Sequence, residues 1–289
     1  MSWVNAVIQG ILTGAFYALF ACGLSLLFGV MGIINLAHGD LAVIGGYVAV
    51  ALIPVTHVPV VWSFVIVVPI FAVGGYALQR TLLQASLDRG PFTTLLVTFG
   101  LSVIAENALL EVFTSNSQSL NIGNLITYSF SINSQITISY FSVVVLALAV
   151  AVLGALQLFL SRSRTGRLIR AVADDREAAQ LIGANYRHVF GVAAAIAFST
   201  VALAGLAYAM SSQIAPTTGT GTLLSAFEAV VIGGIGSVWG TLVGGIVLGV
   251  AQQIGAQINP AYQILAGHLV FLAVLALRPQ GLFGTRARA

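Results

Sequence analysis

Four polar side chains interrupt apolar stretches of the sequence and are the first candidates for chemistry. Asn35, His38 and Asp40 lie together in G-I-I-N-L-A-H-G-D, and Glu228 opens E-A-V-V-I-G-G. An ionisable group at membrane depth costs at least about 2.5 kcal/mol, so it usually faces a cavity or a partner. The alternative is that Asp40 and Glu228 cap helix starts, where a carboxylate accepts free backbone N–H bonds. His38 is expected to be a buried hydrogen-bonding residue, because no second His or Cys stands at metal-ligand spacing.

Charge is concentrated elsewhere, in the segment Arg162–Arg187, which holds nine charged side chains. From Ser161 the chain reads S-R-S-R-T-G-R-L-I-R-A-V-A-D-D-R-E-A-A-Q-L-I-G-A-N. We predict a short helix over Arg176–Ile182, after an earlier turn over Gly166–Ala173. A helix this short is marginal alone and needs docking to persist.

Local signals define both ends of this predicted helix. Asp174 or Asp175 is a good N-cap, and Gly183 is placed as the left-handed C′ residue. Ala178 and Ala179 are expected to be exposed and to form a smooth face for another protein. The alternative is an ordinary solvated loop, made basic by topology alone. The candidate docking residues are Arg167, Arg170, Asp174, Asp175, Arg176, Glu177, Ala178, Ala179 and Gly183.

Composition determines which elements must position these residues. The chain is 58% hydrophobic and 7% charged, with a mean hydropathy of +1.02. Apolar runs long enough to cross a bilayer recur along its whole length, and they do not alternate as barrel strands do. The sequence therefore predicts an all-α polytopic membrane protein, one transmembrane unit over residues 1–289. The chain has no lysine, which excludes a P-loop nucleotide site.

Arginine clusters indicate the topology. The clusters are Arg80 with Arg89, the segment Arg162–Arg187, and Arg278 with Arg286 and Arg288. The positive-inside rule places all three in the cytoplasm and the uncharged loop Thr114–Ser139 outside. The number of crossings between these segments must place every arginine cluster in the cytoplasm. Counting the apolar segments under that condition gives about nine crossings, with the N-terminus outside. Leu41–Ile53 and Leu223–Ile235 look too short to span alone, so eight crossings is the alternative.

The two short segments share a pattern: an acidic residue stands five positions before a glycine pair. D-L-A-V-I-G-G ends at Gly46, and E-A-V-V-I-G-G ends at Gly234. This pattern favours an inverted repeat with broken helices, with halves 1–114 and 188–278 and the coupling loop 161–187 between them. The alternative is that glycine pairs are only packing points between membrane helices. The candidate path residues are Asn35, His38, Asp40, Gly45, Gly46, Glu228, Gly233 and Gly234.

The motifs together resemble one transporter family. The motif from Glu177 to Gly183, E-A-A-x-x-x-G, is similar to the signature by which permeases of ABC importers contact their ATPases. The version of this signature in branched-chain amino acid permeases resembles the wider stretch A-V-A-D-D-R-E-A-A-Q-L-I-G-A-N. Gly23–Asp40, Gly233–Gly245 and Arg278–Gly284 resemble the same family, closest to its shorter, H-type subunit. The likeness covers essentially the entire chain.

The resemblance implies a non-enzymatic permease in the plasma membrane of a bacterium or archaeon, with a fold related to vitamin B12-type importers. It implies a second permease subunit, identical or homologous, two cytoplasmic ATPases that bind ATP and Mg, and an external substrate-binding protein. It implies no cofactor in this chain and no nucleic-acid partner. Urea and short amides are alternative substrates, because relatives carry them. Two alternatives belong to other classes. A secondary transporter or channel would not need the docking loop, and a non-transporting membrane scaffold would need neither that loop nor the repeat with its intramembrane acids.

Overall fold

The computed structural model describes residues 2–56, 59–123, 128–133 and 136–284, and this part of the chain is helical apart from one small hairpin. Arg286 and Arg288 lie outside the described residues. The helices are α1 Ser2–Met31, α2 His38–Thr56, α3 Ser63–Leu78, α4 Gln84–Leu87, α5 Pro91–Phe113, α6 Tyr140–Arg162, α7 Arg164–Asp174, α8 Arg176–Leu181, α9 Tyr186–Ser211, α10 Thr218–Gly233, α11 Val238–Ile258 and α12 Gln263–Leu277. Strands β1 Ser129–Asn133 and β2 Ile136–Ser139 pair antiparallel.

Eight spans of the described chain are long and apolar enough to cross a membrane. Two of them are longer than one helix in the list above: α3 continues through the turns that join it to α4, as Val60–Leu87, and α12 includes the turn before it, as Pro260–Leu277. Helix α10 is a shorter apolar helix. Eight full spans and one short helix agree with the expected eight to nine crossings. Within the most apolar 18-residue stretch of each span, only 6% of the residues of α12 and 17% of those of α5 are buried, whereas 78% of those of α1 are buried. The bundle therefore has α1 at its centre and α5 and α12 at its surface.

Glycines bring α1 and α11 into backbone contact. A Cβ added at Gly10 would lie 2.5 Å from the Cα of Val250, and one added at Gly14 would lie 2.5 Å from the Cα of Ile246. On α11, Gly245 faces Gly14 in the same way. Small residues four positions apart allow such close approach in membrane helices, where no hydrophobic driving force acts between spans.

Helix α2 begins deep inside the bundle. Its first residue, His38, bonds through Nε2 to the carbonyl oxygen of Phe20 at 2.9 Å. Phe20 lies eleven residues before the end of α1 at Met31, a rise of about 16 Å along a helix. The chain from Gly32 to Ala37 therefore turns back into the bilayer before α2 starts.

Helix α10 begins at the same depth in the bundle as α2. The chain reaches this point from the end of the bundle opposite to the end of α1. Ile214, just before it, pairs with Gln118 in the loop after α5. A Cβ at Gly39 in α2 would overlap the carbonyl oxygen of Gly219 in α10. Helices α2 and α10 both begin inside the bundle, and their first turns thus meet near mid-membrane. We refer to these two as the broken helices. The expectation that Leu41–Ile53 is too short to span alone is wrong, because α2 begins three residues earlier, ends at Thr56 and is long enough to cross a membrane. The second segment is short as expected, and its helix begins five residues before Leu223.

The arginine clusters lie at one end of the bundle. Asp88, between Arg80 and Arg89, forms ion pairs with Arg176 at 3.5 Å and with Arg187 at 3.4 Å. After Arg278 the chain turns back onto α10, where the backbone of Phe283 donates to Gly233 at 3.0 Å. This shared end agrees with the topology predicted from the arginines.

Candidate translocation and coupling sites

The junction of the two broken helices contains a buried acid. Asp40, in the first turn of α2, is 2% exposed. Its Oδ2 accepts a hydrogen bond from Ser102 on α5. Its Oδ1 lies against Gly219 and has no hydrogen-bond partner among the described residues. The carboxylate therefore stands at the positive end of α2 and against that of α10, where helix dipoles stabilise negative charge. Neither oxygen of Asp40 accepts a hydrogen bond from a backbone N–H of the described residues, so the structure does not show the capping bond, and the path role of Asp40 stays a prediction.

Asn35 and His38 are structural partners of this junction. Both side chains are almost fully buried, and the Oδ1 of Asn35 accepts from the backbone N–H of Ala37 at 3.1 Å. The bond between His38 and Phe20 confirms the expectation of a buried hydrogen-bonding histidine. Together they hold the re-entrant stretch before α2.

Glu228 occupies a different position from Asp40. It is the eleventh residue of α10, so the expectation that it caps a helix start is wrong. The Glu228 side chain is 2% exposed and contacts Nδ1 of His268 on α12. Sequence reasoning missed His268, because a single histidine in an apolar run gives no sign of its partner forty positions earlier.

The two glycine pairs serve helix contacts. Gly45 and Gly46 pack on α9 and its following loop, where a Cβ at Gly46 would come within 2.6 Å of Ile214. Gly233 packs on Gly240 of α11, and Gly234 has a φ of +102° and packs on the chain near Gly284. The shared letters of the two heptapeptides thus stand at different positions in their helices: Gly46 is inside α2, and Gly234 follows α10. None of the four lines the cavity described below.

The docking loop forms the predicted short helix. Asp175 is the N-cap of α8, and its Oδ1 accepts from the backbone N–H groups of Glu177 and Ala178, both at 2.9 Å. Gly183 has a φ of +87°, as predicted for the left-handed C′ residue. The earlier turn is longer than predicted, a full helix over Arg164–Asp174.

One surface expectation was wrong. Ala179 is 3% exposed and packs in a small core with Ile169, Val172, Val189 and Phe190. Ala178 is exposed, as predicted. Because α8 packs against α7 and α9, one alanine of the pair is buried. The helix therefore already packs against its own chain without a partner protein.

Further contacts fix α8 and its neighbours. The guanidinium of Arg176 lies 3.7 Å from the centre of the Tyr186 ring, in addition to its ion pair with Asp88. Arg167 donates to the carbonyl oxygen of Arg162 at 2.9 Å, and Arg170 donates to that of Ser161 at 3.4 Å. These two arginines tie α7 to the end of α6.

Two large apolar side chains project from the end of α8. Leu181 is 90% exposed and Ile182 is 77% exposed. They stand at the arginine-rich end of the bundle, beyond the membrane spans. Sequence reasoning passed over them because apolar residues at a helix end are usually assigned to the core. These two adjacent side chains form the candidate contact surface of α8.

Comparison with known proteins identifies a matching family and several related permeases. The family described as "Branched-chain amino acid transport system / permease component" matches residues 6–275. The high-affinity branched-chain amino acid transport system permease protein BraD of Pseudomonas aeruginosa is 30% identical, over 98% of this chain and 96% of its own. LivH of Escherichia coli, with the same description, is 27% identical over the same shares. The fructose import permease protein FrcC of Rhizobium meliloti is 32% identical over 66% of this chain and 56% of its own.

Proposed function

Because this chain belongs to the branched-chain amino acid transport permease family, we propose that it is one permease subunit of an ATP-driven importer in a bacterial or archaeal plasma membrane. A second permease subunit, identical or homologous, completes the translocation path. Two cytoplasmic ATPases bind ATP and Mg and drive the cycle, and an external binding protein delivers the substrate. The permease itself carries out no chemical reaction.

The observation that carries the proposal is the exposed end of α8. Leu181 and Ile182 form an apolar projection on a helix that is attached to the rest of this chain by the Arg176–Asp88 ion pair and by the buried Ala179. A projection attached in this way can enter a cleft of an ATPase and transmit its movement to the bundle. Secondary transporters and channels need no such element.

The substrate we propose is an amino acid of the leucine, isoleucine and valine type. The spans contain few charged side chains, which suits a zwitterion with a hydrocarbon side chain. The names of the BraD and LivH relatives support the same class. The fructose permease is similar over a shorter part of the chain, so fructose belongs among the test compounds.

The test is a complex reconstituted in liposomes with the partner permease, ATPases and cognate binding protein. Replacing Leu181 and Ile182 together by aspartate should release the ATPases and abolish ATP-driven leucine uptake, while the permease stays in the membrane. Ala85→Asp adds charge at an exposed position of α4, at the same end and outside the coupling loop, and should leave uptake near its original rate. ATPase retention and normal uptake by the double variant would contradict the coupling role.

Substrate identity is tested in the same liposomes. ATP-driven uptake of leucine should exceed that of urea, glutamate and fructose. Uptake of any of these three with none of leucine would overturn the proposed substrate and leave the coupling role standing.

A further inference from the structure

A cavity of about 470 Å³ lies beside the start of α10. Its walls come from four helices: the middle of α1, the first turn of α6, the end of α9 and the first half of α10. The lining residues are Thr13, Phe16, Tyr17, Phe20, Ser142, Tyr208, Ser211, Ser212, Thr218, Gly221, Thr222 and Ser225. Its volume is within the range of small-molecule sites, about 300–1,000 Å³.

The lining of this cavity is rich in hydroxyl groups and contains no formal charge. Nine of the twelve lining residues carry a hydroxyl, and none of the twelve is acidic or basic. Neutral hydroxyls can replace water around a small polar solute, but they do not compensate a net charge. The cavity therefore suits a solute that is polar and neutral overall.

Several of these hydroxyls are available as acceptors. Thr222 donates to the carbonyl oxygen of Gly219 at 2.8 Å, Ser225 to that of Gly221 at 3.1 Å and Ser211 to that of Tyr208 at 2.9 Å. Each hydroxyl proton is thus used within its own helix. Among the described residues the oxygens of Thr222 and Ser225 accept no hydrogen bond, and that of Ser211 lies 3.4 Å from the hydroxyl of Ser212. Free acceptors suit a donor such as an ammonium group.

Aromatic rings form the apolar wall. The ring of Tyr208 meets those of Phe16 and Phe20 edge to face, with centroids 6.1 and 5.7 Å apart. Tyr17 is fixed by a hydrogen bond from its hydroxyl to Gln252 on α11 at 2.6 Å. A hydrocarbon side chain can lie against these rings while the polar groups of the same molecule meet the hydroxyls.

The cavity also has the depth that a transport intermediate requires. Ser211 and Ser212 end α9 on the side of the Gln118–Ile214 pair. Thr218 starts α10 next to Gly219, which meets α2 near mid-membrane. The cavity thus extends from the outer end of the bundle to the junction of the two broken helices.

We propose that this cavity holds one zwitterionic amino acid with an apolar side chain during transport, as a site within this subunit. The proposal rests on the proposed function, because it assumes that amino acids reach the outer end of the bundle. In the bound state the ammonium group is met by the hydroxyl oxygens of α9 and α10, and the side chain lies on the rings of α1 and α9.

Cysteine labelling tests the site in the complete complex. Ser212→Cys and Ser225→Cys change one atom each, and the only native cysteine, Cys22, is 1% exposed. A methanethiosulfonate ethylammonium reagent should label both introduced thiols from outside. Leucine should slow labelling about fivefold at four times its dissociation constant, because the free fraction is 1/(1 + [L]/Kd). Glutamate should not slow it. Ser117→Cys, in the loop after α5, should be labelled at a rate that leucine does not change.

Hydroxyl removal gives a second measurement. Thr222→Val should raise the leucine concentration needed to protect Ser212→Cys, whereas Thr93→Val, on α5, should not. Absence of labelling, or labelling that leucine leaves unchanged while ATP-driven leucine uptake continues, would overturn the cavity proposal and leave the proposed function intact. Failure of the unmodified complex to take up leucine would instead contradict the proposed function.

Discussion

At the scale of single residues, the junction between α2 and α10 depends on the absence of side chains. Gly39 and Gly219 let two backbones meet beside the carboxylate of Asp40. A methyl group at Gly39 would overlap a carbonyl oxygen, which is backbone and cannot rotate away. The close contact between the first turns of α2 and α10 therefore requires glycine at these two positions.

Gly39→Ala should separate the two broken helices. We expect a loss of stability of roughly 1–3 kcal/mol, as for other overpacked sites, together with a strong loss of uptake. Gly74→Ala is the matched control, because a Cβ at Gly74 on α3 meets nothing within 4 Å. Thermal unfolding of the purified permease in detergent measures the difference. Equal midpoints for the two variants would show that the junction tolerates widening.

The contact between Glu228 and His268 should behave as a coupled pair. His268→Ala leaves Glu228 buried without its partner and should cost on the order of 2 kcal/mol, less than for a fully buried pair because the His268 side chain is 36% exposed. Glu228→Gln removes the charge that needs compensation, so the double variant should be more stable than His268→Ala alone. Unfolding of the four proteins completes the cycle, and additive losses would contradict coupling.

Local chemistry made part of the site predictable. The cap at Asp175 and the left-handed Gly183 follow from rules that act within one turn of helix. The burial of Ala179 and the partner of Glu228 depend on how α8 and α12 pack against distant helices. The hydroxyl-lined cavity could not be predicted because its residues come from four separated stretches of sequence.

At the scale of elements, α8 depends on both of its ends. Asp175→Ala removes two backbone hydrogen bonds and should cost about 1 kcal/mol of local stability. Gly183→Val forces a β-branched residue to a φ of +87° and should cost about 1–2 kcal/mol.

Both variants should lower leucine uptake and transport-linked ATP hydrolysis while membrane insertion continues. The control is Gly100→Val, at a lipid-exposed position of α5 where a Cβ meets nothing within 4 Å. Transport at the original rate by both α8 variants would show that a well-formed helix is not required for coupling.

The broken helices show why element boundaries were harder to predict than element types. The apolar residues of each short segment allowed a helix to be predicted there. The helix starts at His38 and Thr218 could not be predicted, because they lie among polar and glycine residues that normally indicate loops. Burial inside the bundle makes these stretches helical, because backbone groups at membrane depth have no water to bond. The eight long spans needed no such context.

At the scale of the whole molecule, one end carries the arginines and the other carries the uncharged loop after α5. Single cysteines at Ser163 and Ser117 report these two ends. An impermeant thiol reagent added to intact cells should label Ser117→Cys but not Ser163→Cys, because the positive-inside rule places Ser163 in the cytoplasm.

Permeabilised cells provide the control, since both thiols should then react. Labelling of Ser163→Cys but not Ser117→Cys in intact cells would reverse the assigned orientation. The bundle itself would be unchanged by that result.

The closeness of α1 to α11 has a consequence for biosynthesis. Gln253 on α11 donates to Thr13 on α1, 240 positions earlier, at 3.4 Å. During translation α1 enters the bilayer when nearly all of its eventual partners have not been made. Its glycine face, with Gly10 and Gly14, must wait in lipid until α9 and α11 arrive, and small-residue faces of this kind associate readily with other helices. The interval between the first and the eleventh helix is therefore the period in which a nascent chain is most open to mispairing and to capture by insertion chaperones.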